Sequence, residues 1–154
     1  MMATNKRPAR PYRQKYTAGY MLLPQQRDAI VLPVHASLMS IEMGGGNITN
    51  RHTIAAFLNI TSLLSKRMQS APETSGIVER GMYALVASDK RWMDTGKWGF
   101  SGPEMIAIRE AVSVGDMLIK RANSTMLAAI VDRVSVLNSR SPETLGTVDN
   151  LLAA

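Results

Sequence analysis

The chain has no cysteine, two histidines, two tryptophans and two phenylalanines. No apolar run reaches more than about half of the ~20 residues that a bilayer-spanning helix needs. Each shortage excludes something. Without cysteine there is no disulfide scaffold, no thiolate metal site and no thiol nucleophile. His35 and His52 lie on two separate predicted helices with no acidic residue at ligand spacing beside either, so neither a zinc site nor any other metal is expected. The N-terminal stretch is basic but lacks the apolar core of a secretory signal, which points to the cytoplasm. What remains is a chain of 154 residues, 45% apolar and 19% charged, the profile of one soluble domain. Such a chain can bury roughly two-thirds of its unfolded surface.

The formal charge of +6 is unevenly placed. Lys6, Arg7, Arg10, Arg13, Lys15 and Arg27 all precede the first acidic residue, Asp28, and the rest of the chain carries twelve basic and twelve acidic residues. All the excess charge therefore lies in the first 27 residues. Pro8, Pro11, Gly19 and Pro24 disfavour a helix there, and Tyr12, Tyr16 and Tyr20 are interleaved with the cations. Such a segment cannot make a core, and a tail over 1–24 that is mobile until it meets a partner is expected. Two roles stay open for it. Its cations engage phosphates while Tyr12 and Tyr16 stack on bases or anchor a protein interface, or it only solubilises the chain.

Downstream, a triplet recurs: Ala71-Pro72-Glu73, Gly102-Pro103-Glu104 and Ser141-Pro142-Glu143 each precede an apolar periodic stretch. Proline at the first helical position loses no hydrogen bond, and glutamate in the first turn favours the positive end of the helix dipole. Helices are predicted over 33–43, 51–69, 72–94, 103–121 and 124–138, with Asn50 and Ser124 as caps and residues 25–32 as a turn before Pro33. Apolar stripes run through Ile77, Gly81, Ala84, Leu85, Ser88 and Trp92, and through Leu127, Ile130, Val131, Val134 and Leu137. Gly81 and Gly115 on apolar faces point to their two helices crossing closely there, or are merely weak spots in each helix. No segment alternates with period two. The expected architecture is an all-α, single-domain antiparallel bundle of about five helices over 25–138, with a C-terminal tail or short helix over 139–154. Eleven methionines make it adaptable, chiefly as core filler.

Chemistry is hard to find. Gly44-Gly45-Gly46 lacks the Gly-Lys-Ser/Thr of a phosphate loop, and Phe100-Ser101-Gly102 lacks the strand that leads into a nucleophile elbow. Asp89, Asp94, Glu104 and Glu110 suit helix ends and solvated faces as well as a carboxylate pair. For a helix-turn-helix the 44–49 connection is too long, and the short 122–124 link leads into a helix with a mainly apolar first half. A catalytic role and a cofactor are not expected. The most unusual segment is residues 90–102, which pack Trp92, Trp98 and Phe100 with Lys90, Arg91 and Lys97 into a glycine-rich connection. Either Trp98 and the three cations form a binding loop, or Trp98 and Phe100 plug the open end of the bundle. The plug is the expectation, because other aromatics are few.

Within that segment, Thr95-Gly96-Lys97-Trp98-Gly99-Phe100-Ser101-Gly102-Pro103-Glu104 resembles a Thr-Gly-Arg-Trp-Gly-Phe-Asp-Gly loop of small helical proteins carried by bacterial phages, plasmids and integrated elements. Leu32-Pro33-Val34-His35-Ala36-Ser37-Leu38, Gly44-Gly45-Gly46 and Ala55-Ala56-Phe57-Leu58-Asn59-Ile60 are similar to their first helical hairpin, so that the resemblance spans about 30–133. The methionine-rich helix ends and the long basic start depart from that pattern. Some of those proteins carry a Fis-type regulator label, and no catalytic residues come with the resemblance. It implies a mobile-element setting, where small non-enzymatic proteins bind the element's own DNA or disable host machines such as CRISPR surveillance complexes. The expected function is that of an inhibitor binding a host protein or nucleoprotein complex. A DNA-binding regulator is the alternative, with DNA or RNA met through the basic tail, no membrane, and homodimerisation left open.

Overall fold

A computed structural model describes residues 22–140, with side chains through residue 136. The basic segment with Lys6, Arg7, Arg10, Tyr12, Arg13, Lys15 and Tyr16 lies outside the described residues, as does the stretch from residue 141 onward. Five helices are described: α1 Pro24–Glu42, α2 Ile48–Arg67, α3 Pro72–Thr95, α4 Gly102–Arg121 and α5 Ser124–Arg140. There is no strand among the described residues, and the architecture is an all-α bundle. Short connections set α1 beside α2, α2 beside α3 and α3 beside α4, whereas α5 turns away from α4 and packs on α2 instead. No helix among those described is long and apolar enough to cross a membrane.

α2 is the central element. It buries twelve residues, among them the polar Arg51, Asn59, Thr61, Ser62 and Ser65, because α1, α3, α4 and α5 all pack on it. Small hydroxyls suit that position, since they bond locally: Thr61 Oγ1 donates to the Phe57 carbonyl at 2.9 Å, and the Ser65 and Ser75 hydroxyls lie 3.2 Å apart. The most extensive packing joins α3 to α4, and α1 lies across α2 to reach α4.

Gly81 and Gly115 both stand at close crossings, but at two separate ones rather than together where their own two helices cross. A Cβ on Gly81 would lie 2.4 Å from the Cβ of Ala111, so α3 and α4 meet there nearly backbone to backbone. A Cβ on Gly115 would lie 2.5 Å from Phe57 Cε1, which seats α4 against α2.

Several boundaries differ from the sequence expectation. α1 does not begin at Pro33; it begins at Pro24, and Pro33 stands inside it. Pro24 occupies the first turn, and the Gln26 side chain accepts the Leu23 N–H at 2.9 Å. Pro33 cannot donate to the Ala29 carbonyl, but both residues are exposed, so water meets that carbonyl. The inner stripe of Ile30, Val31, Val34, Leu38 and Ile41 continues across the proline and holds the helix on the core. The caps also shift. Asn47, not Asn50, caps α2: its side chain accepts from the Thr49 and Asn50 N–H groups, while Asn50 bonds back to the Asn47 N–H. Asn123, not Ser124, caps α5 by accepting from the Met126 N–H at 2.7 Å. α5 runs on to Arg140, past the expected end at 138.

Candidate functional site

The α1–α2 loop and the α3–α4 loop lie at the same end of the bundle. Trp98 joins them: its Cζ3 would be 2.8 Å from a Cβ on Gly46, so only glycine leaves room for the ring. Phe100 stands beside it, with ring centroids 5.7 Å apart and planes tilted by 55°. Both rings are half-buried, and Phe100 packs against the core. Trp98 thus bridges two loops in the manner of a plug, though one not wholly enclosed. Its Nε1 is buried with no acceptor among the described residues.

The loop is fixed by a polar frame. Gly96 ends α3 in the left-handed region at φ 70°, which glycine adopts without strain. The chain then turns back so that the Gly99 carbonyl accepts from Ser88 Oγ at 2.8 Å and from Arg91 at 2.7 Å. Arg91 also forks onto both Glu104 oxygens at 2.7 and 2.6 Å. Glu104 accepts the Ser101 N–H as well, closing the N-terminal cap of α4. The Arg91 bond, helped by Ser101, holds the Glu104 carboxyl below the usual carboxylate range against the opposing effect of burial. The same pairing raises Arg91.

This frame separates the sequence-predicted residues. Arg91 is occupied in holding the loop, whereas Lys90 and Lys97 are exposed. Trp92 does not continue the inner stripe of α3; it is 43% exposed. The physical reason is that the returning loop sits over Ser88 and Arg91, which leaves position 92 beside it facing solvent. Ile77 and Val131 are likewise only partly buried, and Leu137 lies beyond the described side chains. Next to Trp92, Met93 is 82% exposed, and Met43, in the neighbouring loop, is 81% exposed. Methionine read chiefly as core filler gave no signal for the exposure of either. An open groove lined by Arg91, Thr95, Lys97, Trp98, Phe100 and Ser101 runs along the same end.

Asp89 and His35, among the remaining candidates, are used structurally, while Asp94 and Glu110 stand exposed on α3 and α4. Asp89 pairs with the buried Arg51, whose Nε donates to Oδ1 at 2.7 Å, tying α3 to α2. His35 Nε2 meets Asp116 at 2.8 Å, and Glu42 pairs with Arg109, so α1 is fastened twice to α4. His52 is exposed on α2, whereas His35 is engaged with Asp116. No group of three or more acidic or histidine side chains able to hold a metal ion occurs among the described residues. A second hollow, between α2 and α5, sets Lys66, Arg67 and Arg133 around Leu63 and Ile130, with Lys66 and Arg133 engaged in interactions of their own. Comparison with protein-family models, curated proteins and solved structures yields no match to this chain.

Proposed function

We propose that this is a non-catalytic accessory protein of a phage, plasmid or integrated element, acting in the bacterial cytoplasm to bind and inhibit a host nucleoprotein machine of the CRISPR-surveillance kind. The observation that carries the binding role is the exposure of Trp92 and Met93 at the loop end, with Met43 in the adjacent loop and Lys90 and Lys97 beside them. Exposed tryptophan flanked by cations is the make-up of an interface anchor for an acidic, partly apolar partner surface. The rigid Arg91–Glu104–Gly99 frame beneath it supports the reading, because a pre-ordered loop loses little entropy on binding. The mobile-element setting and the host target rest on the sequence resemblance.

A DNA-binding regulator is the second reading, favoured by the six cations that precede Asp28. Capture from a bacterial lysate, with and without nuclease, separates the two. The proposal expects a nucleoprotein complex that survives nuclease and is lost, by about 2 kcal/mol or more of affinity, on combining Trp92→Ala with Met93→Ala. Capture that disappears with nuclease, and survives those substitutions but not deletion of residues 1–20, assigns the protein to the regulator reading instead.

A further inference from the structure

Between α2 and α5 lies a hollow of about 270 Å³, room for a few side chains rather than for a folded partner. Leu63, Ala129 and Ile130 form its apolar floor, and Lys66, Arg67 and Arg133 surround it. No acidic side chain lines it. Lys66 and Arg67 suit the last turn of α2, where cations meet the negative end of the helix dipole. Arg133 has no such reason, because it stands in the middle of α5. Lys66 and Arg133 make interactions of their own, yet the hollow still joins an apolar floor to a wholly cationic rim. Its fitting occupant is a short stretch of chain that offers both apolar side chains and carboxylates.

The chain itself supplies such a stretch directly after α5. Residues 141–154 contain Glu143 and Asp149, no lysine or arginine, and the apolar Leu145, Val148, Leu151 and Leu152. The N-terminal segment is repelled instead, since residues 1–20 hold five cationic side chains and no acidic one. Position favours the C-terminal side as well. Positions 133 and 140 are seven residues apart, two helical turns, so the chain leaves α5 on the side that lines the hollow. Pro142 disfavours helix at Ser141, and Ser-Pro initiates turns, which suits a reversal there. Ala129 stands about 16 Å back along α5 from Arg140, and residues 141–148 span at most about 26 Å, which leaves slack for the turn. We infer that residues 141–152 fold back onto α5 and fill the hollow. Leu145 and Val148 cover Leu63, Ala129 and Ile130, while Glu143 and Asp149 meet the cations.

Because the chain has no cysteine, introduced thiols report the docking in the full chain. Ala129 is exposed on α5, so a substitution there leaves the core alone. Ala129→Cys combined with Val148→Cys should close an intramolecular disulfide under mild oxidation, seen as a monomer of faster gel migration. Closure should be at least about tenfold faster than for Ser113→Cys with Val148→Cys, because only a docked segment holds its thiol at high local concentration. Ser113 is the control because it lies on the exposed side of α4. Adding Glu143→Lys and Asp149→Lys, which change no residue of the five helices, should slow closure several-fold. Arg67→Glu with Arg133→Glu in that background should then restore it. Closure that is no faster than the control, unmoved by the two lysines, or not restored at wild-type helicity overturns the inference. So does an Ala129→Cys thiol that alkylates as fast as that of Ser113→Cys and is protected only by duplex DNA, because the hollow would then be a nucleic-acid seat.

Discussion

The tightest helix crossing gives the sharpest stability test. A Cβ on Gly81 would lie 2.4 Å from Ala111 Cβ and 3.2 Å from the Ala107 carbonyl oxygen. These obstacles are backbone or one bond from it, so no rotamer change relieves them. Nor can α4 retreat: on its α2 side Gly115 leaves no slack, since a Cβ there would already meet Thr61 Oγ1 at 2.4 Å. Overpacking of this kind costs about 1–3 kcal/mol. Alanine for glycine inside a helix returns about 0.8–1.0 kcal/mol. Gly76, on the same helix, isolates that second effect, because a Cβ there finds only the Arg80 guanidinium at 3.6 Å. Gly81→Ala should therefore be less stable than Gly76→Ala by about 1–3 kcal/mol, roughly 2–12 °C in Tm. Removing the obstacle closes the test. Ala111→Gly alone should cost about 1 kcal/mol, but in the Gly81→Ala background it should cost less or stabilise, a coupling of about 1 kcal/mol or more. Urea unfolding followed by circular dichroism, with an unchanged m-value, reads the wild type and all four variants. Equal stability of Gly81→Ala and Gly76→Ala, or an Ala111→Gly cost that is the same in both backgrounds, would refute the reasoning.

Three further outcomes follow from the polar frame and the plug. Asp89→Ala, which leaves the buried Arg51 without its carboxylate, should lose about 3 kcal/mol in denaturant, whereas Arg51→Met combined with Asp89→Leu should lose much less. The folded Glu104 titrates below its unfolded value near 4.3, so its stabilising effect is complete above that pH and disappears as pH falls through the folded value. Thermal melts should accordingly show Glu104→Gln losing less stability than the wild type on acidification through that window. Trp98→Ala should cost about 1–3 kcal/mol, below the full-burial penalty because the ring is only half-buried. Trp98→Phe, which removes the Nε1 that has no acceptor among the described residues, should cost little, and Trp92→Ala should leave the melting temperature almost unchanged.

The sequence carried the helices wherever a local signal existed. Pro72 and Pro103 each stand in the first turn of a helix that also has a glutamate there, so α3 and α4 could be placed nearly to the residue. The third such triplet lies outside the described residues. Pro33 misled because its cost is local, about 3 kcal/mol, while the compensating stripe from Ile30 to Ile41 extends on both sides of it. The caps slipped by one residue at α5 and three at α2 because Asn47-Ile48-Thr49-Asn50 and Asn123-Ser124 each offer more than one capping side chain, and only the backbone decides between them. At the site, Arg91 read as a free cation because its partner Glu104 is thirteen residues away, across a turn whose course no periodicity reports. Trp92 read as core for the same reason: the fold of the loop, not the helix pattern, decides which side of α3 is covered at its end.

Lys90 and Lys97 flank the exposed Trp92 and Met93 at the loop end. A cationic rim of this kind steers an acidic partner and makes its association sensitive to salt. Raising the salt from about 50 mM to about 500 mM shortens the screening length several-fold, so target capture should weaken markedly. Lys90→Gln combined with Lys97→Gln should weaken capture at low salt and flatten its salt dependence while leaving the melting temperature as it was. Capture by the wild type that is equal at both salt concentrations would refute the cationic part of the proposed interface.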